Sequence, residues 1–593
     1  MLQERKEKIR MERLDLEEHM LRGVEKEEEE EEKQREDEEQ KSDPFEVVQD
    51  FRPSGPPWNE LDNKDKFMRV LITLLKVIAL LVMLYLFICS LSFLSSAFRL
   101  LGGKTAGQVF ASDSLVSNPV AGLMIGVLAT VLLQSSSTTT SIVVAMVASG
   151  ILNVRPAIPI VMGANIGTSV TNTIVAIGQI ADREQFRRAF AGATVHDMFN
   201  ILCVLVLLPI EVITGYLYHL TKAIISAMSL PDPDEPGDKS YKKELLKKIT
   251  KPFTNLVIQL DKKVIEQIAK GDKSADDKSL IKHWCDKGKT VSVVKQINET
   301  FNATMDTTIH ERQCKFLLHG TGLSDTVVGV IMLLVALAIL CICLVLIVKT
   351  LHSLLRGQIA LVIKKTFNSK FPKPFGFLTG YVAILVGAGM TILVQSSSIF
   401  TSALTPLVGL GIVPLKKVYP LTLGANIGTT ATGVLAALAS SGDRLALALQ
   451  IALCHLFFNI TGIIVWYPVP VMRRVPIRLA KHLGNTTAEY RWFALAYLLL
   501  VFFIAPTLIF ALTLPGWRIF IALMIPIVIL VVCICVVNIL QKKKADWLPR
   551  KFRSWEWAPL MCRSLKPYDN VISKVYKASY KVKRKSIPSE SDL

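Results

Sequence analysis

The chain has 593 residues, 51% of them hydrophobic, and its mean hydropathy of +0.40 excludes an ordinary soluble globular protein. Apolar runs recur that reach the roughly 20 residues a helix needs to cross a bilayer, so we expect an all-α polytopic membrane protein. The formal net charge of +18 does not indicate nucleic-acid binding, because much of the basic excess lies in short loops and the C-terminal tail, where it reports membrane topology.

The first 66 residues are polar and acidic, with a run of glutamates between Glu25 and Glu39. We expect a solvated, disordered tail there and not a cleaved signal peptide. Eight spanning helices follow. Their predicted bounds are 68–98, 156–179, 189–214, 323–348, 415–440, 445–468, 493–514 and 517–540.

Basic residues mark alternate loops between these spans. The short loops at 183–188, 356–365 and 473–481 are rich in Arg and Lys, whereas the loops between them hold few. By the positive-inside rule, these three loops and both termini are cytoplasmic. The predicted organisation is a cytoplasmic tail (1–66), a first transmembrane region (67–219), a large extracellular loop (220–321), a second transmembrane region (322–541) and a basic cytoplasmic tail (542–593).

The long polar loop carries two features of an extracellular segment. Asn298 and Asn302 stand in Asn-X-Thr sequences, which are acceptors for N-glycosylation but also occur by chance. Cys285 and Cys314 are the only cysteines of this loop, so we expect a disulfide between them in an oxidising compartment.

Two segments of the sequence are copies of each other. QSSS occurs at Gln134–Ser137 and Gln395–Ser398, and GANIGT occurs at Gly163–Thr168 and Gly424–Thr429, with the same offset of 261 residues for both motifs. This is an internal duplication. The loop after the first copy is basic and the loop after the second is not, so we expect the copies to be inverted in the membrane. Inverted repeats are typical of transporters, although channels are also duplicated.

The segment 120–133 is apolar but has only fourteen residues, which is too short to cross. We therefore expect a re-entrant helical hairpin that breaks at Gln134–Ser137, and a second one that breaks at Gln395–Ser398. Irregular backbone at membrane depth is tolerated where it is buried in protein or lines a polar cavity.

Each break is a candidate binding site. Amide groups freed at a half-helix N-terminus attract anions, and freed carbonyls together with Ser, Thr and Gln oxygens suit sodium. The alternative is that these hydroxyls bond back to their own helices or join neighbouring helices. Duplication of the whole QSSS packet favours a binding site.

Neither hairpin, 119–150 or 376–411, contains Lys or Arg, so the charge of a bound anion has to be met by backbone dipoles and co-bound cations. The nearby acid Asp197 and its helix neighbour Asn200 are candidate cation ligands. A carboxylate paired with a helix neighbour is the alternative for Asp197. His196 and His455 are interpreted as packing residues. Further oxygens come from Thr168, Thr173, Gln179 and Asp182.

The two QSSS hairpins, each followed by GANIGT, with a large loop between them, closely resemble the type II sodium-dependent phosphate cotransporters over about residues 55–560. The resemblance implies sodium-driven import of inorganic phosphate, mainly the divalent form, across the apical plasma membrane of epithelial cells. It implies phosphate binding at Ser135, Ser136, Ser137, Ser396, Ser397 and Ser398. It implies sodium binding among Gln134, Gln395, Thr173, Gln179, Asp182, Asn200, Thr429 and Thr432.

The resemblance also implies a role for Asp197. Members with an acid at this position form the electrogenic branch and bind one more sodium ion than members without it. We expect sodium to bind first and to neutralise the incoming phosphate, after which the hairpin domain switches exposure by alternating access. The paralogue stays open.

Other functions were weighed against this one. A membrane-embedded hydrolase with Ser136 as nucleophile and His196 as base is disfavoured, because no hydrolase motif surrounds these serines and a nucleophile needs no second copy. A channel is the other alternative, and coupled uptake of the solute against its gradient would exclude it. A sodium-coupled transporter of another oxyanion, such as sulfate, is the nearest alternative. We predict a transporter and not an enzyme, with sodium as co-substrate and no cofactor.

The C-terminal tail from 542 is basic and aromatic, as expected beside an anionic cytoplasmic membrane surface. Its last residues, Ser591-Asp592-Leu593, fit a short ligand for a PDZ-domain scaffold.

Overall fold

The structure is a computed structural model. It describes residues 43–46, 62–110, 118–149, 151–228, 252–269, 272–275, 277–285, 289–298, 301–309, 313–319, 321–355, 375–394, 396–438 and 445–572. Gln395 and the C-terminal residues Ser591–Leu593 lie outside the described residues.

The first half of the membrane region consists of helices. Their bounds are α1 (Asn63–Phe110), α2 (Pro119–Leu133), α3 (Ser136–Ser149), α4 (Val154–Gly167), α5 (Val170–Ile177), α6 (Arg183–Thr214) and α7 (Tyr216–Ala227). Helices α4 and α5 form one span that is interrupted only at Thr168 and Ser169. Asn118 caps α2 by accepting hydrogen bonds from the backbone amides of Val120 and Ala121, as a helix start requires.

The polar segment between the halves contains helix α8 (Lys262–Ala269) and an antiparallel hairpin of strands β1 (Lys289–Asn298) and β2 (Phe301–Ile309). This hairpin is the one departure from the predicted all-α class within the described residues. Asn298 ends β1 and Asn302 lies at the start of β2, so both glycosylation candidates are at the turn of the hairpin. Cys285 and Cys314 are joined by a disulfide.

The second half repeats the order of the first. Its helices are α9 (Asp325–Leu355), α10 (Leu378–Val394), α11 (Ser397–Gly409), α12 (Leu415–Leu438), α13 (Leu445–Trp466) and α14 (Pro470–Glu489). Two more spans follow, one made of α15 (Phe493–Leu499), a π-helical turn (Leu500–Ile504) and α16 (Ala505–Thr513), the other of α17 (Trp517–Lys543). A short helix α18 (Leu560–Arg563) and 3-10 turns at 273–275, 375–377, 545–547 and 550–552 are also present. Residues 252–257 and 566–572 are helical as well.

Eight of the described helices or helix pairs are long and apolar enough to cross a membrane. They coincide with the eight predicted spans, so the polytopic all-α prediction is confirmed for the membrane region. The first predicted hairpin corresponds to α2 and α3, and the second corresponds to α10 and α11. Helices α2, α3 and α10 are apolar but shorter than the eight spans. The basic stretch 473–481, predicted as a loop, is instead part of the amphipathic helix α14, which packs against α6.

Glycines explain why the same motif recurs after each hairpin. A β-carbon on Gly126 of α2 would overlap the carbonyl oxygen of Ile160 in α4, and a β-carbon on Gly387 of α10 would overlap the carbonyl oxygen of Leu421 in α12. The contact residues differ by 261 in both pairs. The motif glycines Gly163 and Gly424 return the same contact from the other side. Each hairpin is therefore held by backbone-to-backbone packing against the helix that follows it.

The two copies also pack against each other reciprocally. Helix α3 contacts α12 and α13, and its counterpart α11 contacts α5 and α6. The amphipathic helices do the same, since α14 lies on α6 and α7 lies on α13. Such an exchange of equivalent contacts is what a two-fold relation between the copies produces. Inversion of the copies relative to the membrane stays a prediction.

A short N-terminal segment, Asp43–Glu46, is anchored on this core. The Phe45 side chain is buried, 4% exposed, against Gly484 of α14, and its carbonyl oxygen accepts a hydrogen bond from the amide of Leu415 at the start of α12. Lys481 forms ion pairs with Asp43 and Glu46. Burial raises the pKa of the Glu46 carboxyl, although nearby lysines oppose the shift. Part of the acidic tail is thus tied to the membrane region.

We expect Gly387→Ala to destabilise the protein by about 1–3 kcal/mol, because the added methyl group has to displace a backbone carbonyl. The unfolding temperature of the purified protein in detergent measures this. Gly389→Ala is the matched control, since it is two residues away on the same helix and a β-carbon there has open space. Equal unfolding temperatures for the two variants would contradict the close packing of α10 on α12.

Candidate functional site

The first hairpin breaks at Gln134. This residue has φ 51° and ψ 33°, and it is the one non-glycine residue with positive φ in the part of the chain described by the structure. Its amide nitrogen Nε2 donates to the carbonyl of Val131 (2.7 Å), and its Oε1 accepts from the Thr171 hydroxyl (2.9 Å). Left-handed backbone at a residue other than glycine is costly, and it tends to be retained at functional sites.

The serines after Gln134 begin the return helix α3. The Ser135 oxygen accepts from both the backbone amide (3.2 Å) and the hydroxyl (3.0 Å) of Thr138. Ser136 is buried and Ser137 half-buried, and their hydroxyls make no hydrogen bond within the described residues. The break therefore presents three hydroxyl groups next to the N-terminus of a 14-residue helix.

The second hairpin breaks immediately before α11. Ser396 caps that helix, and its Oγ accepts from the amide of Ile399 (3.3 Å). Ser397 and Ser398 are buried in the first turn. The breaks end earlier than predicted, because Ser136 and Ser397 already belong to the return helices α3 and α11.

Helix α5 connects the two hairpins. Thr171 donates to Gln134 at the first break, and the next residue, Asn172, accepts at Oδ1 from Thr401 (2.8 Å) and Ser402 (2.9 Å) of α11. Adjacent residues of one helix therefore hold both hairpins. Sequence analysis did not identify Thr171 or Asn172 as site residues, and the only signal was a cluster of polar residues in an apolar span.

A buried polar cluster lies between the two copies. His196 pairs through Nε2 with Oδ1 of Asn426 (2.6 Å), and His455 pairs through Nε2 with Oδ1 of Asn165 (3.2 Å). Each histidine thus contacts the asparagine of the other copy's GANIGT motif. Because an amide oxygen only accepts, the Nε2 atom of each ring carries the proton. These histidines are packing residues that join the copies, in keeping with the interpretation from sequence.

Asn200 completes this cluster, and its counterpart does not. Its amide donates to the carbonyl of Asn165 (2.9 Å), and its Oδ1 accepts from the amide of Asn426 (2.8 Å). The equivalent Asn459 donates to the carbonyl of His455 in its own helix (3.1 Å), and its Oδ1 is buried without a hydrogen bond. The two copies have therefore diverged in the contacts of this asparagine.

Asp197 is fully buried in α6, and its partner is far away in the sequence. The hydroxyl of Tyr497 in α15 donates to its Oδ2 (3.1 Å), whereas Oδ1 makes no hydrogen bond in the described structure. Asp197 is thus hydrogen-bonded to a residue of another helix and not to one of its own. The Ser169 hydroxyl also interacts with this carboxylate. The role of Asp197 as a cation ligand stays a prediction.

The other sodium candidates differ in their surroundings. Gln179 is buried against Gly409 of α11, and neither atom of its amide group has a partner in the described residues. Asp182 is exposed and caps α6 through the amides of Glu184 and Gln185. Thr173, Thr429 and Thr432 each donate to a carbonyl of their own helix, which leaves the lone pairs of their oxygens available.

An arginine that sequence analysis left out lies at the first break. Arg99 of α1 donates from Nε to the carbonyl of Leu133 (3.3 Å) and from Nη2 to the Thr138 hydroxyl (3.1 Å). The predicted first span ended one residue short of Arg99, so it was not counted as an intramembrane charge. Neither hairpin contains Lys or Arg, but a side-chain cation from α1 lies beside the first break.

This arrangement can bind an anion and cations together. Two half-helices begin at clusters of hydroxyl groups, and helix N-termini favour negative charge. Unpaired carboxylate and amide oxygens lie on the neighbouring helices, where hard cations such as sodium find their preferred ligands. Binding of this kind requires neither a nucleophile nor a redox group.

Residues 86–220 and 361–475 match the family profile Na+/Pi-cotransporter. The chain is 53% identical to sodium-dependent phosphate transport protein 2B of Homo sapiens over 542 residues, which is 88% of this chain and 77% of that protein. It is 53% identical to sodium-dependent phosphate transport protein 2A of Ovis aries over 510 residues, covering 86% of this chain and 79% of that protein. No solved structure gives a significant match.

We expect Asn200→Ala to lower the free energy of unfolding by about 1–3 kcal/mol more than Asn459→Ala, because it leaves buried groups of Asn165 and Asn426 without partners. Unfolding in sodium-free detergent solution isolates this effect from ligand binding. Equal destabilisation by both substitutions would show that the cluster between the copies does not depend on Asn200.

Proposed function

The chain belongs to the Na+/Pi-cotransporter family, and we propose that it imports inorganic phosphate together with sodium across a membrane. The names of its relatives favour phosphate over sulfate as the substrate. A transporter also fits the helical membrane fold, which has eight apolar spans and two helical hairpins with a break. Enzymatic activity is not part of the proposal.

One observation carries the assignment of the site. Thr171 and Asn172, adjacent on α5, hold the first break through Gln134 and the second hairpin through Thr401 and Ser402. The N-termini of α3 and α11 therefore belong to one unit. Phosphate binds at Ser135–Ser137 and Ser396–Ser398 in this proposal, because these residues form the first turns of both half-helices.

Sodium binds on the neighbouring helices in this proposal. Oε1 of Gln179 and Oδ1 of Asp197 are buried and make no direct hydrogen bond in the described part of the chain, which supports their role as ligands. Gln134, Thr173, Asn200, Thr429 and Thr432 supply further oxygens. Asp182 contributes from the exposed start of α6, and Gln395 is assigned from its QSSS motif alone.

The packing supports alternating access in this proposal. Each hairpin is fixed to its own following helix by glycine contacts, and the two copies meet through reciprocal helix contacts and two His–Asn hydrogen bonds. We infer that the two hairpins, held together by α5 and by the contacts between the copies, switch exposure as one domain. Sodium binds first and offsets the charge of divalent phosphate. A net charge moved inward gains about 2.3 kcal/mol per 100 mV of membrane potential.

The same proposal places the protein in the plasma membrane, at the apical surface of epithelial cells, with both termini cytoplasmic. The described residues contain eight spans, and an even number of crossings keeps the two tails on the same side. The β-hairpin segment is then extracellular, where Asn298 and Asn302 can carry glycans. Ser591–Leu593 is the proposed ligand for a PDZ scaffold, and the basic tail contacts anionic lipid.

Uptake of radiolabelled phosphate into oocytes, with and without sodium and with simultaneous current recording, tests the function. We expect uptake that needs sodium and brings an inward current. Labelled sulfate is the matched comparison. Uptake of sulfate but not phosphate by protein present at the cell surface would overturn the substrate assignment.

Asp197→Asn tests electrogenicity. We expect sodium-dependent phosphate uptake to persist while the net charge moved per phosphate falls by about one elementary charge, because the carboxylate no longer holds its sodium ion. The ratio of current to radiotracer flux measures this. Tyr497→Phe is the control, since it removes the hydrogen bond to Asp197 and keeps the carboxylate. An unchanged ratio in Asp197→Asn would reject the assignment.

A further inference from the structure

Arg99 brings a full positive charge to the break of the first hairpin. It lies in the span Asn63–Thr105, and both of its hydrogen bonds go to residues that flank the break, Leu133 and Thr138. No carboxylate of the described residues pairs with it. A charged side chain at membrane depth is retained where it has a partner or a function, so an arginine without a counter-ion beside an anion site requires an explanation.

The hydrogen bonds at the break form a chain of donors that ends at Oγ of Ser135. Arg99 donates to the Thr138 hydroxyl, which then donates to Oγ of Ser135 (3.0 Å), and the Thr138 amide donates to the same oxygen (3.2 Å). Two donors therefore occupy the acceptor positions of Ser135. A serine hydroxyl has two acceptor positions and one proton, so Ser135 is left with its proton to donate.

The guanidinium itself also keeps donors. Of its five N–H groups, two make the hydrogen bonds to Leu133 and Thr138, and the rest have no acceptor within the described residues. Arginine favours planar or tetrahedral oxyanions because its donors form a fixed fork. The break thus combines a permanent cation with a hydroxyl that is oriented to donate.

We propose that Arg99 is an anion-recognition residue of the first hairpin, which supplies the fixed positive charge of the site and orients Ser135 to donate to a bound oxyanion. This rests on the proposed function and adds a protein charge to it. Within the described residues, the side-chain hydrogen bonds of Arg99 go to the first hairpin.

A purely structural role makes different predictions. The carbonyl of Leu133 ends helix α2, where a cation stabilises the negative end of the helix dipole. An arginine that acted only there would affect the amount of folded protein and the maximal rate, but not the concentration of phosphate needed for half-maximal uptake.

Arg99→Gln and Arg99→Lys separate the two roles. We expect Arg99→Gln to raise the KM for phosphate about 10- to 100-fold, the range for loss of a charged hydrogen bond, with the maximal rate per surface molecule largely kept. Arg99→Lys restores the charge and should return the KM most of the way to the original value. Arg155→Gln is the control, because it removes one exposed cation that stacks on Tyr218, away from the break.

Thermal stabilisation of the purified protein in sodium by phosphate or sulfate gives a second readout that is independent of transport. We expect Arg99→Gln to lose the stabilisation that the original protein shows. If sulfate and not phosphate stabilises the original protein, and Arg99→Gln loses that effect, the substrate assignment fails while the role of Arg99 stands. An unchanged KM and unchanged stabilisation in Arg99→Gln would overturn the proposal for Arg99.

Discussion

The close approach of backbone at the hairpin glycines is the constraint on which the rest of the structure depends. A helix of 15 residues cannot cross the bilayer, so α2 needs a neighbour to hold it at depth. Gly126 and Gly163 let the backbones of α2 and α4 touch, and Gly387 and Gly424 do the same for α10 and α12. Without this contact the breaks and their serines would have no fixed position.

Inside the membrane, hydrogen bonds between polar side chains specify which helices contact each other. The two His–Asn pairs cross between the copies and fix one copy against the other. Asn172 and Thr171 fix both hairpins to one helix. Lipid offers no competing hydrogen bonds, so each of these contacts favours one arrangement of the helices. The result is a pair of similar units that meet through a small set of polar contacts.

Charge is distributed unequally between the two copies. Asp197 has no acidic counterpart in the second copy, where Leu456 follows His455. Asn200 and Asn459 have diverged in their partners as well. Two identical copies would give sodium and phosphate the same surroundings in both halves. The residues that differ between the copies are therefore the ones to which we assign the coupling of the two ions.

The sequence by itself determined the eight spans, the two hairpins and the duplication. These depend on the length of apolar runs and on motif identity, which are local properties. Only the tertiary structure decided which distant residues are in contact. It pairs Asp197 with Tyr497, 300 residues away, pairs His196 with Asn426, and places Arg99 at the first break. It also placed Asp182 at an exposed helix cap and turned the basic loop at 473–481 into a packed helix. Such contacts join residues that are distant in the chain, and they follow from how helices pack rather than from any pattern along one of them.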